Sequence, residues 1–205
     1  MKIVASHLSK RFTREWIFRD FSQEFNTGIT YALVGPNGCG KSTLLQILWG
    51  QMLPSAGTIQ YVNEEGNIAE SDIFKSVSIA TPYMDLIDEF TLEEMVDFHF
   101  RFKPMRGLLS TDEIMVKMEL QHAKNKLISN FSSGMRQRLK LALAFFSQSA
   151  CLFLDEPTTN LDKKSIDWYW ENLNPILAQT ITIIASNQET EYPAHSEKIN
   201  ILSYK

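Results

Sequence analysis

A nine-residue run near the first quarter of the chain is spaced to hold phosphate. Gly35-Pro36-Asn37-Gly38-Cys39-Gly40-Lys41-Ser42-Thr43 fits the pattern G-x-x-x-x-G-K-[ST]. The glycines let the backbone bend until successive N–H groups converge on phosphate oxygens, and a helix opening behind them adds partial positive charge. Lys41 supplies a full charge to β- and γ-phosphates, and the Ser42 hydroxyl is placed for Mg²⁺. Average composition gives such a match by chance in roughly 1% of chains this long. A dinucleotide fingerprint would need its glycines in another order and would leave the lysine without a role. The expected ligand is therefore a nucleoside triphosphate with Mg²⁺. Cys39, inside the loop, reads as a tolerated small residue.

A second chemical element lies far downstream. Asp155 and Glu156 follow the apolar run Ala150-Cys151-Leu152-Phe153-Leu154 and precede Pro157. Such a pair alone can simply cap a turn, but a phosphate loop upstream gives the two carboxylates separate tasks. Asp155 is expected to hold Mg²⁺, partly through water, and Glu156 to polarise the water that attacks in line.

The elements that must position these groups are legible as apolar runs. Ile29–Val34 ends at the glycine loop, Ala150–Leu154 at the acid pair, and Thr180–Ala185 at Ser186-Asn187. Each reads as a buried parallel strand with polar residues at its C-terminal end, the edge where open α/β sheets bind ligands. Leu44–Leu48 reads as the helix behind the loop. From about Leu86 to Ser149 the pattern turns helical, with a capping box at Ser110 and Glu113 and a helix starting near Ser132 or Ser133. Met84, Met95, Met105, Met115 and Met118 gather there with Phe90, Phe98, Phe100 and Phe102, either as a lobe core or as a face for a partner.

Composition narrows the class. The chain has 205 residues, 44% hydrophobic and 21% charged, which suits one globular domain with a small added lobe. With 20 basic against 24 acidic residues the net charge is −4, so the overall basic footprint of a nucleic-acid binder is missing and no nucleic acid is expected as partner. The N-terminus lacks a signal-peptide pattern, and glutamines, glycines and a proline interrupt the uncharged stretch from Ser42 to Asn63. Cys39 and Cys151 show neither disulfide nor zinc spacing. These features point to a soluble, cytoplasmic protein.

One further segment separates the nucleotide-binding classes. Phe131-Ser132-Ser133-Gly134-Met135-Arg136-Gln137-Arg138 resembles the signature motif of ATP-binding cassette (ABC) proteins, usually L-S-G-G-Q. Hydroxyls and a glycine N–H at a helix start form an anion site, and Arg136 and Arg138, against the usual dipole preference, are expected to face a docked anion. The resemblance extends over essentially the whole chain. It implies an α/β fold of P-loop NTPase type with a mainly parallel sheet, an N-terminal antiparallel β region and an inserted helical lobe. Residues 1–205 would form one domain, with 1–85 and 150–205 as the nucleotide-binding core and about 86–149 as the lobe.

The resemblance also implies roles. Phe12 would stack on adenine, with Trp16 as the other candidate. Ser132, Ser133, Gly134 and Met135 would form the signature, and Asn160-Leu161-Asp162 the D-loop that contacts the opposite subunit. Two cassettes pack head to tail in this family, so a second copy in a homodimer is expected, together with an integral membrane transporter subunit. The chain would then sit peripherally on the inner face of the cell membrane. Three departures stand out. Ser133 and Met135 replace the usual Gly and Gln, Tyr83 stands at the Q-loop glutamine position that helps hold the metal, and Asn187 stands at the switch histidine. Asn187 can donate a hydrogen bond to a γ-phosphate but carries no proton at neutral pH, and His195 lies eight residues on. The catalytic set is thus Lys41, Glu156 and Asn187, with slow or partner-dependent ATP hydrolysis expected. A soluble ATPase of this family outside transport, such as an iron–sulfur assembly type, and a cassette that binds with little turnover are the alternatives.

The position of Cys39 is testable. A bulky thiol reagent is expected to abolish nucleotide binding, with ATP protecting; full binding by protein modified at Cys39 contradicts the placement.

Overall fold

A computed structural model describes residues 1–107 and 109–205. Its centre is a five-stranded, all-parallel sheet in the order β6 (Val77–Ala80), β7 (Cys151–Asp155), β8 (Ile181–Ala185), β3 (Thr30–Val34) and β9 (Glu197–Asn200). A four-stranded antiparallel sheet stands beside it, in the order β2 (Glu15–Asn26), β1 (Lys2–Phe12), β4 (Ala56–Asn63) and β5 (Gly66–Asn67).

Strands β7, β8 and β3 are buried on both faces, and the two-residue period of a strand divides their side chains between two cores. Cys151 and Phe153 of β7, Ile181, Ile183 and Ala185 of β8, and Tyr31 and Leu33 of β3 pack with α1 (Lys41–Leu48) and the antiparallel sheet. Leu152, Leu154, Ile184 and Ala32 point the other way, against α5 (Ser133–Phe146) and α6 (Lys163–Leu177). Phe153 meets Trp49 edge to face on the first side, with centroids 5.8 Å apart.

The three strands expected from apolar runs are present, each beginning one residue later than its run. Strands β1, β2, β4 and β6 gave no comparable signal because they alternate polar and apolar residues or are short. Between residues 86 and 149 lie α3 (Leu92–Phe102), α4 (Thr111–Lys117) and α5; the short α2 (Ile73–Ser76) precedes β6. The capping box at Ser110 and Glu113 is formed, and a second joins Thr91 to Glu94. Ser132 is the N-cap of α5, its hydroxyl accepting from the Met135 N–H.

Met95, Met115 and Met118 are core residues, whereas Phe98 and Phe102 are exposed. The methionine-rich segment therefore serves as a core and, on one face, leaves aromatics in solvent. Helix α5 is fastened to α6 by Phe145, which packs against Trp168 and Tyr169. Phe145→Ala is expected to cost about 3–5 kcal/mol in chemical unfolding, while Phe102→Ala changes stability by no more than about 0.5 kcal/mol; equal effects would contradict this division.

Candidate functional site

The loop between β3 and α1 has the geometry of a phosphate cradle. Gly35, Gly38 and Gly40 all take positive φ. At Gly40, with φ +112°, an added Cβ would lie 2.5 Å from the Ile17 side chain, so only glycine lets the loop pass so close to β2. Gly40 is also the N-cap of α1 and offers no capping side chain. The first N–H groups of that helix are thus left for an external acceptor, which is what an anion site requires.

Lys41 is 5% exposed. Its ammonium donates to Gly35 O at 2.7 Å, Pro36 O at 3.2 Å and Asn187 Oδ1 at 2.9 Å. The Asn187 amide in turn donates to Asn37 Oδ1. The loop after β8 is thereby pinned across the phosphate loop, and position 187 sits at the lysine that would meet the terminal phosphates.

A cavity of about 400 Å³ opens here, lined by Ile17, Asn37, Gly38, Gly40, Lys41, Ser42, Thr43, Tyr83 and Glu156. Phe12 does not line it; it is half-exposed at the end of β1, with Lys10 over its ring. Trp16 is likewise outside, flanked by Arg11 and Arg19. Ile17 is the apolar residue that closes this wall, and an isolated isoleucine in an alternating strand gave no sign of it. Cys39 is buried under the loop against Gly35. Tyr83 is exposed at the cavity mouth, on a segment whose carbonyls at Thr81 and Pro82 accept from Lys140 of α5. His195 is exposed between β8 and β9 and contributes nothing to this cavity.

Asp155 is 2% exposed at the end of β7. Burial raises its pKa above the ordinary carboxylate value; the Ser42 hydroxyl and Lys41 pull it down, while the charges of Glu156 and Glu191 push it further up. A buried carboxylate facing a hydroxyl and held uncomfortably charged suits Mg²⁺. Among the described residues no group of three His, Cys, Asp or Glu side chains is gathered for a metal, but Mg²⁺ bound with a nucleotide needs only one or two protein oxygens beside phosphates and water. Glu156 adopts φ +44°, a left-handed backbone uncommon outside glycine, and its N–H donates to Ala185 O. That turn aims its side chain into the cavity.

The signature segment lies elsewhere on this copy. A cavity of about 510 Å³ is lined there by Ser132, Ser133, Gly134, Met135, Asn160 and Asp162, among others. A Cβ at Gly134 would be 3.1 Å from Asn160 O, so signature and D-loop are packed together. Asp162 caps α6 by accepting from Ser165 N–H. The expectation that both arginines are available to a docked anion is corrected: Arg138 lines this cavity with its guanidinium already engaged, and Arg136 does not line it. Arg138 is buried and donates to Met118 O, Glu119 and Ser165 while stacking on Trp168; Arg136 pairs with Asp88 at 2.7 Å. Their charges are consumed in joining α5 to its neighbours.

A family model described as ABC transporter matches residues 18–159. The chain belongs to the ABC transporter family. It is 30% identical over 188 residues to Nod factor export ATP-binding protein I of Burkholderia orbicola, covering 90% of this chain and 62% of that relative. ABC transporter A family member 7 of Dictyostelium discoideum is 28% identical over 179 residues, covering 86% of this chain and 21% of that protein. The chain thus spans less than two thirds of the length of these curated relatives. Among solved structures, an ABC transporter ATP-binding protein from Pyrococcus furiosus superposes with a TM-score of 0.79 at 20% identity, covering 100% of this chain and 99% of that one. A bacterial ABC transporter cassette solved as a dimer gives 0.80 at 18% identity, covering 97% and 94%. These two establish the ABC cassette fold.

The raised pKa of Asp155 has a definite sign. A carboxyl that holds its proton more tightly when folded stabilises the fold most below its unfolded pKa, and that contribution disappears as pH rises through the folded value. At pH 7, above the ordinary carboxylate value, the nucleotide-free cassette is therefore less stable on this group's account than it is in acid. Asp155→Asn is expected to raise Tm at pH 7, with the gain shrinking towards pH 3, and to abolish the Mg²⁺-dependent part of stabilisation by ATP. A lower Tm at pH 7, or an unchanged Mg²⁺ effect, contradicts the assignment.

Proposed function

We propose that the chain is the ATP-binding and hydrolysing subunit of an ABC transporter, which closes on ATP as a homodimer and drives a separate integral membrane subunit. The observation that carries this reading is the convergence at one sheet edge of Lys41, Ser42, Asp155, Glu156 and Asn187, contributed by the ends of three different strands.

In this reading the loop N–H groups and Lys41 bind the phosphates, and Ser42 and Asp155 would hold Mg²⁺, which would supply positive charge beside the phosphates. Glu156 orients the attacking water and accepts its proton. Asn187 donates to the γ-phosphate. Tyr83 takes the Q-loop position without a carboxamide for the metal. Phe12 reaches the adenine only if the β1–β2 end closes over it, while Ile17 already forms part of the wall. Ser132, Ser133, Gly134 and Met135 of a second copy would cap the triphosphate, with Asp162 beside them.

For transport, the docking surface would be the lobe and the Tyr83 region. A groove of about 350 Å³ there is lined by Trp49, Phe74, Met84, His99 and Lys103, among others. Burial and the Lys103 charge push the His99 pKa down to about 4, so the groove presents a neutral imidazole. Among the described residues no helix is long and apolar enough to cross a membrane, and association would be peripheral, at the cytoplasmic face. The amide at Asn187 favours a second reading, a cassette in which ATP holds a dimer closed with little turnover.

The discriminating measurement is hydrolysis with the membrane partner present. Glu156→Gln is expected to reduce turnover by about 10²–10⁴-fold while ATP affinity stays within about threefold. Undetectable turnover by the unsubstituted complex would sink the hydrolytic reading and leave the binding-dominated one.

A further inference from the structure

Glu191 is a carboxylate with no exposed surface, six residues beyond the end of β8 at Ala185, in a polar turn that reads as loop. Both of its oxygens are engaged. Oε1 accepts from the Thr158 N–H at 3.0 Å and from the Thr158 hydroxyl; Oε2 accepts from the Ser186 hydroxyl. Its backbone carbonyl accepts from the Tyr169 hydroxyl at 2.7 Å, which ties the turn to α6. These partners are all neutral. A buried carboxylate held only by neutral donors is a costly element, and here it does something specific: it joins two segments that carry the chemistry. Thr158 lies two residues after Glu156, and Ser186 lies immediately before Asn187. The same segments are already linked by the Glu156 N–H to Ala185 O, and Gln137 of α5 donates to Pro157 O at 2.7 Å. A polar path therefore runs from Lys41 through Asn187, Ser186, Glu191 and Thr158 to the helix that begins at the signature.

We propose that Glu191 is a positioning residue for the nucleotide site: its carboxylate locks the end of β8 to the turn behind Glu156 and so fixes the Asn187 amide at the terminal phosphate. This rests on the reading of the loop as an ATP site. Glu191 touches no nucleotide; it acts through Ser186 and Thr158. The expected consequence is selectivity, because position 187 stands at the end of Lys41, where the terminal phosphate would lie, whereas the loop N–H groups serve the other phosphates without it.

The test is equilibrium binding of Mg²⁺-ATPγS and Mg²⁺-ADP to the full chain. Glu191→Ala is expected to weaken ATPγS by about tenfold, the lower end for outer-shell partners, and to leave ADP within about twofold. Glu191→Gln keeps the shape, with its carbonyl accepting from Thr158 and its amide donating to Ser186, and is expected to restore most of the loss. Asn187→Ala combined with Glu191→Ala should lose no more than Asn187→Ala alone. Should Glu191→Ala fail to fold, Ser186→Ala carries the test: a loss confined to ATPγS supports the role, and equal losses for both nucleotides overturn it. A purely structural Glu191 would lower Tm and weaken both nucleotides alike. If the unsubstituted chain prefers ATPγS while Glu191→Ala does so equally, this inference alone falls; if the unsubstituted chain binds neither nucleotide, the ATP-site reading falls with it.

Discussion

A buried ammonium organises this molecule. Lys41 leaves water almost completely and replaces its hydration with two carbonyls of its own loop and the amide oxygen of Asn187. An amine in that environment is tolerated only if every proton finds an oxygen, which forces the loop after β3 to curl around the side chain and draws the end of β8 towards it. The glycines with positive φ are the backbone's answer to that curl. The parallel sheet, apolar on both faces, provides a rigid edge on which the geometry can be held.

Opposite charge is kept close but unpaired. Asp155 and Glu156 stand near the lysine without forming an ion pair with it, and burial raises the Asp155 pKa. An arrangement with one enclosed cation, a buried acid with a second acid beside it and free helix N–H groups is better satisfied by polyphosphate and Mg²⁺ than by itself. The family relationship and the local physics agree on this point. On this copy Ser132 and Gly134 open a separate cavity beside Asp162, which in the proposed reading serves a second copy.

Much of the site was legible because it is written in residue types with few alternative uses. Three crowded glycines followed by Lys41, and an acid pair closing an apolar run, each demand a special backbone or a special charge. The three central strands were legible for a related reason, being continuous apolar runs buried on both faces. Other features depend on tertiary neighbours that no local pattern encodes. Arg138 looked available to an anion, yet Glu119, Ser165 and Trp168 come from distant segments to enclose it. Ile17 is an ordinary strand residue until the loop at Gly40 presses on it. Glu191 sits in a polar stretch whose burial is decided by Tyr169, Thr158 and Ser186, far away along the chain or across a turn.

In the proposed reading one chain holds an incomplete site and a second copy completes it around Mg²⁺-ATP. Molecular mass in solution tests this most directly, measured by sedimentation of the Glu156→Gln chain with Mg²⁺ and saturating ATP or ADP. A twofold mass is expected with ATP, reversal with ADP, and loss of the ATP-dependent species when Ser132 and Gly134 are replaced by bulky residues. A chain that binds Mg²⁺-ATP with full occupancy yet remains a monomer at every concentration would contradict it.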